Sequence, residues 1–315
     1  MRLLKLPSWF FGLLKALTFF LFVRIIYLLL RKRSFSTRFN SVILIAFLFY
    51  HVIYRKGAKR IKRNISLIRP DLNEKEINQG AWRLAKTIAR SWAAMLGNEF
   101  TSMEEVTRKV EVKNPEILLK RYNEGEKIIA TAVHVGPVDE MIGIIPLFGI
   151  RVYVPAEAIN PEWLFKLMMR LRLRFGDIIF EPVKKGKILS NASRHLADGR
   201  IVVLVIDVTR KDGNSGVVCK IGNANARFSV GAIKLALEQK AVIIPVFPSL
   251  TDDNKSQVVI GSPFELIETG DVKKDIENNT RRLIEEVYAP HIQENCYSWL
   301  RLLWSDLEPT ETNTT

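Results

Sequence analysis

From Leu6 to Leu30 the chain is almost wholly apolar, broken only by Lys15 and Arg24. A helix of that length is sufficient for a bilayer core about 30 Å thick. The two bases lie nine positions apart, which at about 3.6 residues per turn puts them on opposite faces, so a simple amphipathic surface helix fits poorly. A charge near the end of such a span can snorkel to the headgroups. A cleavable signal peptide does not fit, because Arg31-Lys32-Arg33 follow the run where a small-residue cleavage site would stand. A second uncharged run, Phe39 to Tyr54, is short for a span and predicts a buried or interfacial helix.

Asn73 with Glu76 three residues on reads as a helix N-cap, and the helix it opens is predicted to run to about Leu96. From Lys127 the pattern alternates. β-Branched runs at 127–133, 151–154, 201–206 and 242–247 predict strands; the stretches 139–147, 161–174, 187–196 and 228–239 predict helices. Strands alternating with helices indicate an α/β domain with a mostly parallel sheet flanked by helices. The predicted organisation is a membrane-associated helical arm over 1–58, the α/β domain over 59–306 and a polar, disordered tail over 307–315.

Composition is that of a globular protein, 48% apolar and 25% charged, but the net charge is +14. Its location decides its meaning. Residues 1–70 hold fifteen of the 47 Lys and Arg and no carboxylate, leaving 32 bases against 33 acids in the remainder. A nucleic-acid binder would spread its bases over a folded face. Bases beside apolar runs point instead to a membrane with anionic headgroups. The clusters Arg55-Lys56, Lys59-Arg60 and Lys62-Arg63 place the domain on the cytoplasmic side. Two distant cysteines, Cys219 and Cys296, read as reduced thiols, and the four scattered histidines form no zinc ligand set.

In parallel sheets chemistry gathers in the loops at the carboxyl ends of strands. That rule selects His134, after the strand ending Ala132-Val133, and Asp207, after the strand ending Val205-Ile206. In His134-Val135-Gly136-Pro137-Val138-Asp139-Glu140 the Gly-Pro pair interrupts any continuous helix, so Asp139 can fold back towards the imidazole. A carboxylate on one ring nitrogen fixes the tautomer that lets the other nitrogen take a proton. Glu140 is the alternative partner, or a first-turn acid facing the helix dipole. A serine-nucleophile elbow, a phosphate-binding P-loop and a dinucleotide fingerprint are all absent.

This loop resembles the H-x4-D/E motif of the lipid A biosynthesis (lauroyl and myristoyl) acyltransferases, within the lysophospholipid acyltransferase superfamily. Arg60–Leu72, Asn160–Gly176, Leu196–Pro245 and Pro290–Trp304 resemble further blocks of that family in the same order. The resemblance implies a glycerolipid acyltransferase-like fold, His134 as general base and Asp139 as its orienting carboxylate. It implies an acyl-ACP or acyl-CoA thioester donor, a membrane (glyco)lipid acceptor such as a lipid A precursor, and no metal or other cofactor. The location it implies is the inner (cytoplasmic) membrane, with the catalytic domain facing the cytoplasm.

Asp207 matches the first acid of a D-x-D-like loop whose second acid is here Thr209, and Arg210 and Lys211 follow. These bases are candidate substrate-binding residues for a phosphate, or a solvated basic turn. Arg174 is a candidate for an acceptor phosphate, or simply ends the helix that Gly176 terminates. Met168 and Met169 read as packing, or as a flexible wall for an acyl chain. Val205 to Arg210 lacks the Phe-Pro-Glu-Gly-Thr-Arg-like loop usual in glycerolipid members. Rival readings are an acyltransferase for a phosphatidylinositol mannoside or a lysophospholipid, and a non-enzymatic membrane protein that retains the fold.

Overall fold

A computed structural model describes residues 8–48, 55–138, 148–156, 162–172, 176–182, 187–208, 216–251 and 255–310. Four helices open the chain: α1 (Ser8–Leu30), α2 (Phe35–Leu48), α3 (Arg55–Ile68) and α4 (Glu74–Gly97). The expected cap of α4 is present in both directions. Glu76 N donates to the Asn73 side chain at 3.0 Å, and Asn73 N donates to the Glu76 carboxylate at 2.9 Å. These bonds satisfy donors that a helix start leaves open.

The arm is packed on the domain. Arg38 of α2 is buried and donates from Nε to Ala93 O of α4 at 2.8 Å. Tyr27 of α1 is buried and donates to Glu99, which also accepts from Arg170 at 3.0 Å. Val23, Ile26 and Leu30 of α1 join Met95, Leu164, Met168 and Met169 in one apolar cluster. Ile61, Ile65 and Ile68 form the buried stripe of α3, and its bases take the other positions.

Two expectations change here. The boundary placed between residues 58 and 59 falls inside α3. The spanning helix expected over 6–30 is also corrected: among the described residues no helix is long and apolar enough to cross a membrane. One face of α1 is committed to protein, while Leu21, Phe22, Ile25, Leu28 and Leu29 are exposed on it.

After α5 (Met103–Lys109), β1 (Val110–Lys113) and α6 (Pro115–Asn123), the alternating portion follows in order. It consists of β2 (Ile128–Ala132), β3 (Val152–Ala156), α7 (Glu162–Arg172), β4 (Ile178–Pro182), α8 (Ile188–Ala197) and β5 (Ile201–Val205). A hairpin, β6 (Val217–Ile221) and β7 (Ala224–Phe228), precedes α9 (Gly231–Gln239), β8 (Val242–Leu250) and β9 (Ser256–Ile260). The main sheet has the order β1-β9-β8-β2-β5-β3-β4 and is parallel except at β8–β9. The α/β architecture with a mostly parallel sheet is therefore as expected. Side chains alternate across it: Ile129, Tyr153, Val202 and Ile243 enter one core, and Ile128, Ala130, Val152, Ile201 and Ile244 the other. The helix expected over 139–147 lies outside the described residues.

The chain closes with α10 (Val272–Arg282), a π-helical turn (Leu283–Tyr288), α11 (Ala289–Glu294) and two short 3₁₀ turns (Cys296–Ser298 and Leu300–Leu303). The disorder expected from residue 307 is corrected for its first residues. Leu307 is buried with its N–H on Asn64, and β10 (Glu308–Pro309) pairs with β7. Burial of the Leu307 side chain, together with these backbone bonds, ties this polar stretch down.

Tyr288, fully buried, ends the π-helical turn with its hydroxyl between two central strands. It donates to Thr131 O of β2 at 2.6 Å and accepts from Val246 N of β8 at 3.3 Å. Burial pushes its pKa up, so it stays a donor. Tyr288→Phe strands those backbone groups and should destabilise the fold by about 1–3 kcal/mol. Urea unfolding of the purified protein would measure this; an unchanged midpoint would remove Tyr288 from the account.

Candidate active site

Parallel β2 and β5 are adjacent, with Ala132 opposite Val205. Ile206 N extends the ladder to Ala132 O at 3.0 Å. Two residues beyond the last register pair stand His134 on one strand and Asp207 on the other. The sheet thus delivers both side chains to the same height at its carboxyl edge.

Asp207 is buried and accepts three bonds. His134 N donates to Oδ2 at 2.9 Å, Trp299 Nε1 donates to Oδ2 at 2.7 Å, and His134 Nδ1 lies 2.8 Å from Oδ1. Burial works to raise the Asp207 pKa, but the His134 charge and bonds, with the Arg301 guanidinium, outweigh it and hold the carboxyl below its ordinary value. An ionised carboxylate only accepts, so Nδ1 carries the proton of the neutral ring and the basic lone pair is on Nε2. A quarter of the imidazole side chain's surface, 25%, is open to solvent, against none of the Asp207 side chain's.

The C-terminal segment clamps this pair. Val135 bridges Trp299 in antiparallel fashion, Leu300 N donates to His134 O at 2.7 Å, and Gly136 N donates to Ser298 O at 3.0 Å. Gly136 turns at φ +73°, in the left-handed region that favours glycine. Trp299 is fully buried behind the pair. Arg301, also buried, places its guanidinium 5.0 Å from the Phe228 ring and 5.7 Å from that of Trp299. Burial lowers the Arg301 pKa and Asp207 opposes that shift; a guanidinium so compensated keeps its charge. Trp304 meets the His134 ring edge-on at 5.9 Å.

Of the residues singled out in the sequence, His134 and Asp207 come together. Asp139, Arg174, Arg210 and Lys211 lie outside the described residues. His195 stacks on Tyr153 at 4.1 Å inside the fold, and His291 bonds Pro248 O at 2.9 Å. Both cysteines are buried, and burial pushes the Cys219 thiol up to about 12 and the Cys296 thiol up to about 11. Neither is an activated nucleophile. Among the described residues no group of three His, Cys, Asp or Glu is placed to hold a metal. Sequence reasoning missed Trp299 and Arg301. Their signal was the Trp-containing block over 290–304, to which it attached no role.

The family profile described as bacterial lipid A biosynthesis acyltransferase matches residues 8–305. Among solved structures, the chain is similar to the 1-acyl-sn-glycerophosphate (LPA) acyltransferase PlsC from Thermotoga maritima. The match is at 14% identity and a TM-score of 0.36, over 81% of this chain and 98% of that one. No curated protein sequence gives a match.

Because the folded-state pKa of Asp207 is depressed, its pairing stabilises the fold above the ordinary carboxylate pKa of about 3.9. That stability is lost as pH falls through the lower folded value. In unfolding curves measured against pH, Asp207→Asn should be less stable than the native chain at neutral pH, with the difference shrinking in acid. A difference that stays constant with pH would contradict the assignment.

Proposed function

Since the chain belongs to the bacterial lipid A biosynthesis acyltransferase family, we propose that it moves an acyl group from a thioester to a hydroxyl of a lipid A-type glycolipid, with His134 as general base. The observation that carries this reading is the Nδ1 bond to buried Asp207, which leaves base chemistry to Nε2. Nε2 takes the proton of the acceptor hydroxyl, and the oxygen attacks the thioester carbonyl. A C–O bond forms, the C–S bond breaks, and the imidazolium returns its proton to the departing thiolate. Asp207 stabilises the imidazolium in between. The donor is acyl carrier protein or coenzyme A thioester, and no metal or redox group takes part in this scheme.

By resemblance the orienting carboxylate would be Asp139; the Nδ1 geometry supports Asp207 in that role. Arg174, Arg210 and Lys211 are proposed to hold phosphate groups of donor or acceptor. The proposed location is the cytoplasmic face of the inner membrane. The exposed apolar residues of α1 and α2, with Arg31, Lys32 and Arg33 between those helices, support it.

His134→Ala should lower kcat by roughly 10²–10⁴-fold while the protein stays folded; near-native transfer would end the proposal. Asp207→Asn and Asp139→Asn, assayed side by side, separate the two carboxylates. The larger loss of kcat should fall on Asp207→Asn, and the reverse order would restore Asp139 as the orienting group. Membrane pelleting tests the location: the full chain should stay with membranes through a high-salt wash, since apolar burial is not screened. Release by salt would reduce the attachment to charge pairing.

A further inference from the structure

Large apolar side chains open to solvent group on α1 and α2, with Phe100, Val218, Ile267 and Val272 scattered elsewhere among the described residues. Trp304 belongs to neither helix. It is 49% exposed, and its ring stands 5.9 Å from that of His134 at an interplanar angle of 86°. Isolated exposed apolar residues are ordinary, but an indole against the proposed base is in a position to touch whatever that base deprotonates.

Its chain neighbours are fixed. Arg60 donates to Leu303 O, and its guanidinium lies 4.0 Å from the exposed Asp306 carboxylate. Ser305 accepts from Asn64 at its carbonyl, at 2.8 Å, and from Arg301 at its hydroxyl, at 3.1 Å. The chain on both sides of the indole is therefore held in place. An acyl chain asks for a continuous apolar lining. A pyranose ring offers one apolar C–H face, which a single exposed aromatic ring can cover.

We infer that Trp304 stacks on a hexose ring of the acceptor glycolipid and thereby sets the acceptor hydroxyl against Nε2 of His134. This rests on the acyltransferase reading above and specifies how the acceptor is held. A sugar packed against this indole lies beside the His134 ring, whose centroid is 5.9 Å from that of the indole.

The test is steady-state kinetics with an under-acylated lipid A precursor, a glucosamine disaccharide, as acceptor and an acyl-carrier-protein thioester as donor, each varied in turn. Trp304→Leu keeps apolar bulk and loses the π face, whereas Trp304→Tyr keeps a π face. The expected result is an acceptor KM about tenfold higher in Trp304→Leu and largely restored in Trp304→Tyr, with the donor KM little changed. Equal acceptor KM values for the Leu and Tyr variants would overturn the inference. A fall in kcat alone would also overturn it, leaving Trp304 as packing for His134. Wild-type transfer to lysophosphatidic acid with none to the disaccharide would instead overturn the acceptor reading, and this inference with it.

Discussion

A buried carboxylate is tolerated only if its charge is met by donors and opposite charge, and Asp207 is the residue around which this molecule meets that demand. Three donors from two separate parts of the chain converge on it: the His134 backbone, the His134 ring and the Trp299 indole. The Arg301 guanidinium supplies compensating charge from behind Trp299. Taking away one partner of such a buried charge pair generally destabilises by about 3–5 kcal/mol, because the remaining charge is left uncompensated. The same bonds fix the imidazole tautomer, so stability and chemistry here depend on one set of contacts.

That convergence explains why residues far apart in sequence are needed at one point. The β2–β5 register supplies His134 and Asp207 at equal height; Trp299 stands between the two 3₁₀ turns near the C-terminus, and Arg301 lies in the second. The C-terminal segment is in turn held by α3, through Arg60, Arg63 and Asn64. A helix that the sequence pattern divides between arm and domain is thus one of the supports of the site.

Local pattern was enough to find the central strands and to select both His134 and Asp207, because a residue following a β-branched run in an α/β chain lies at the sheet's carboxyl edge. It could not pair them. The order β2-β5-β3-β4 is a long-range property, and without it the nearby acids Asp139 and Glu140 were the partners within view. Strands β1, β4 and β9 escaped notice because Val110–Lys113 alternates with charges and the other two offer apolar runs of only three residues, Ile178–Phe180 and Val258–Ile260. The helix expected from Phe228 begins at Gly231, since 224–228 is used by the hairpin with β6. Arg301 reads in sequence as one more surface base. Its burial between Phe228 and Trp299 follows from tertiary packing alone.

The central claim is that His134 and Asp207 act as a unit, and a double-mutant cycle on acyl transfer tests it most directly. If they do, the rate of His134→Ala/Asp207→Asn should match that of His134→Ala alone to within about twofold, because the carboxylate has no imidazole left to orient. If Asp207→Asn instead slowed the His134→Ala protein by the same factor as it slows the native one, the two residues would be acting independently and the account would be wrong.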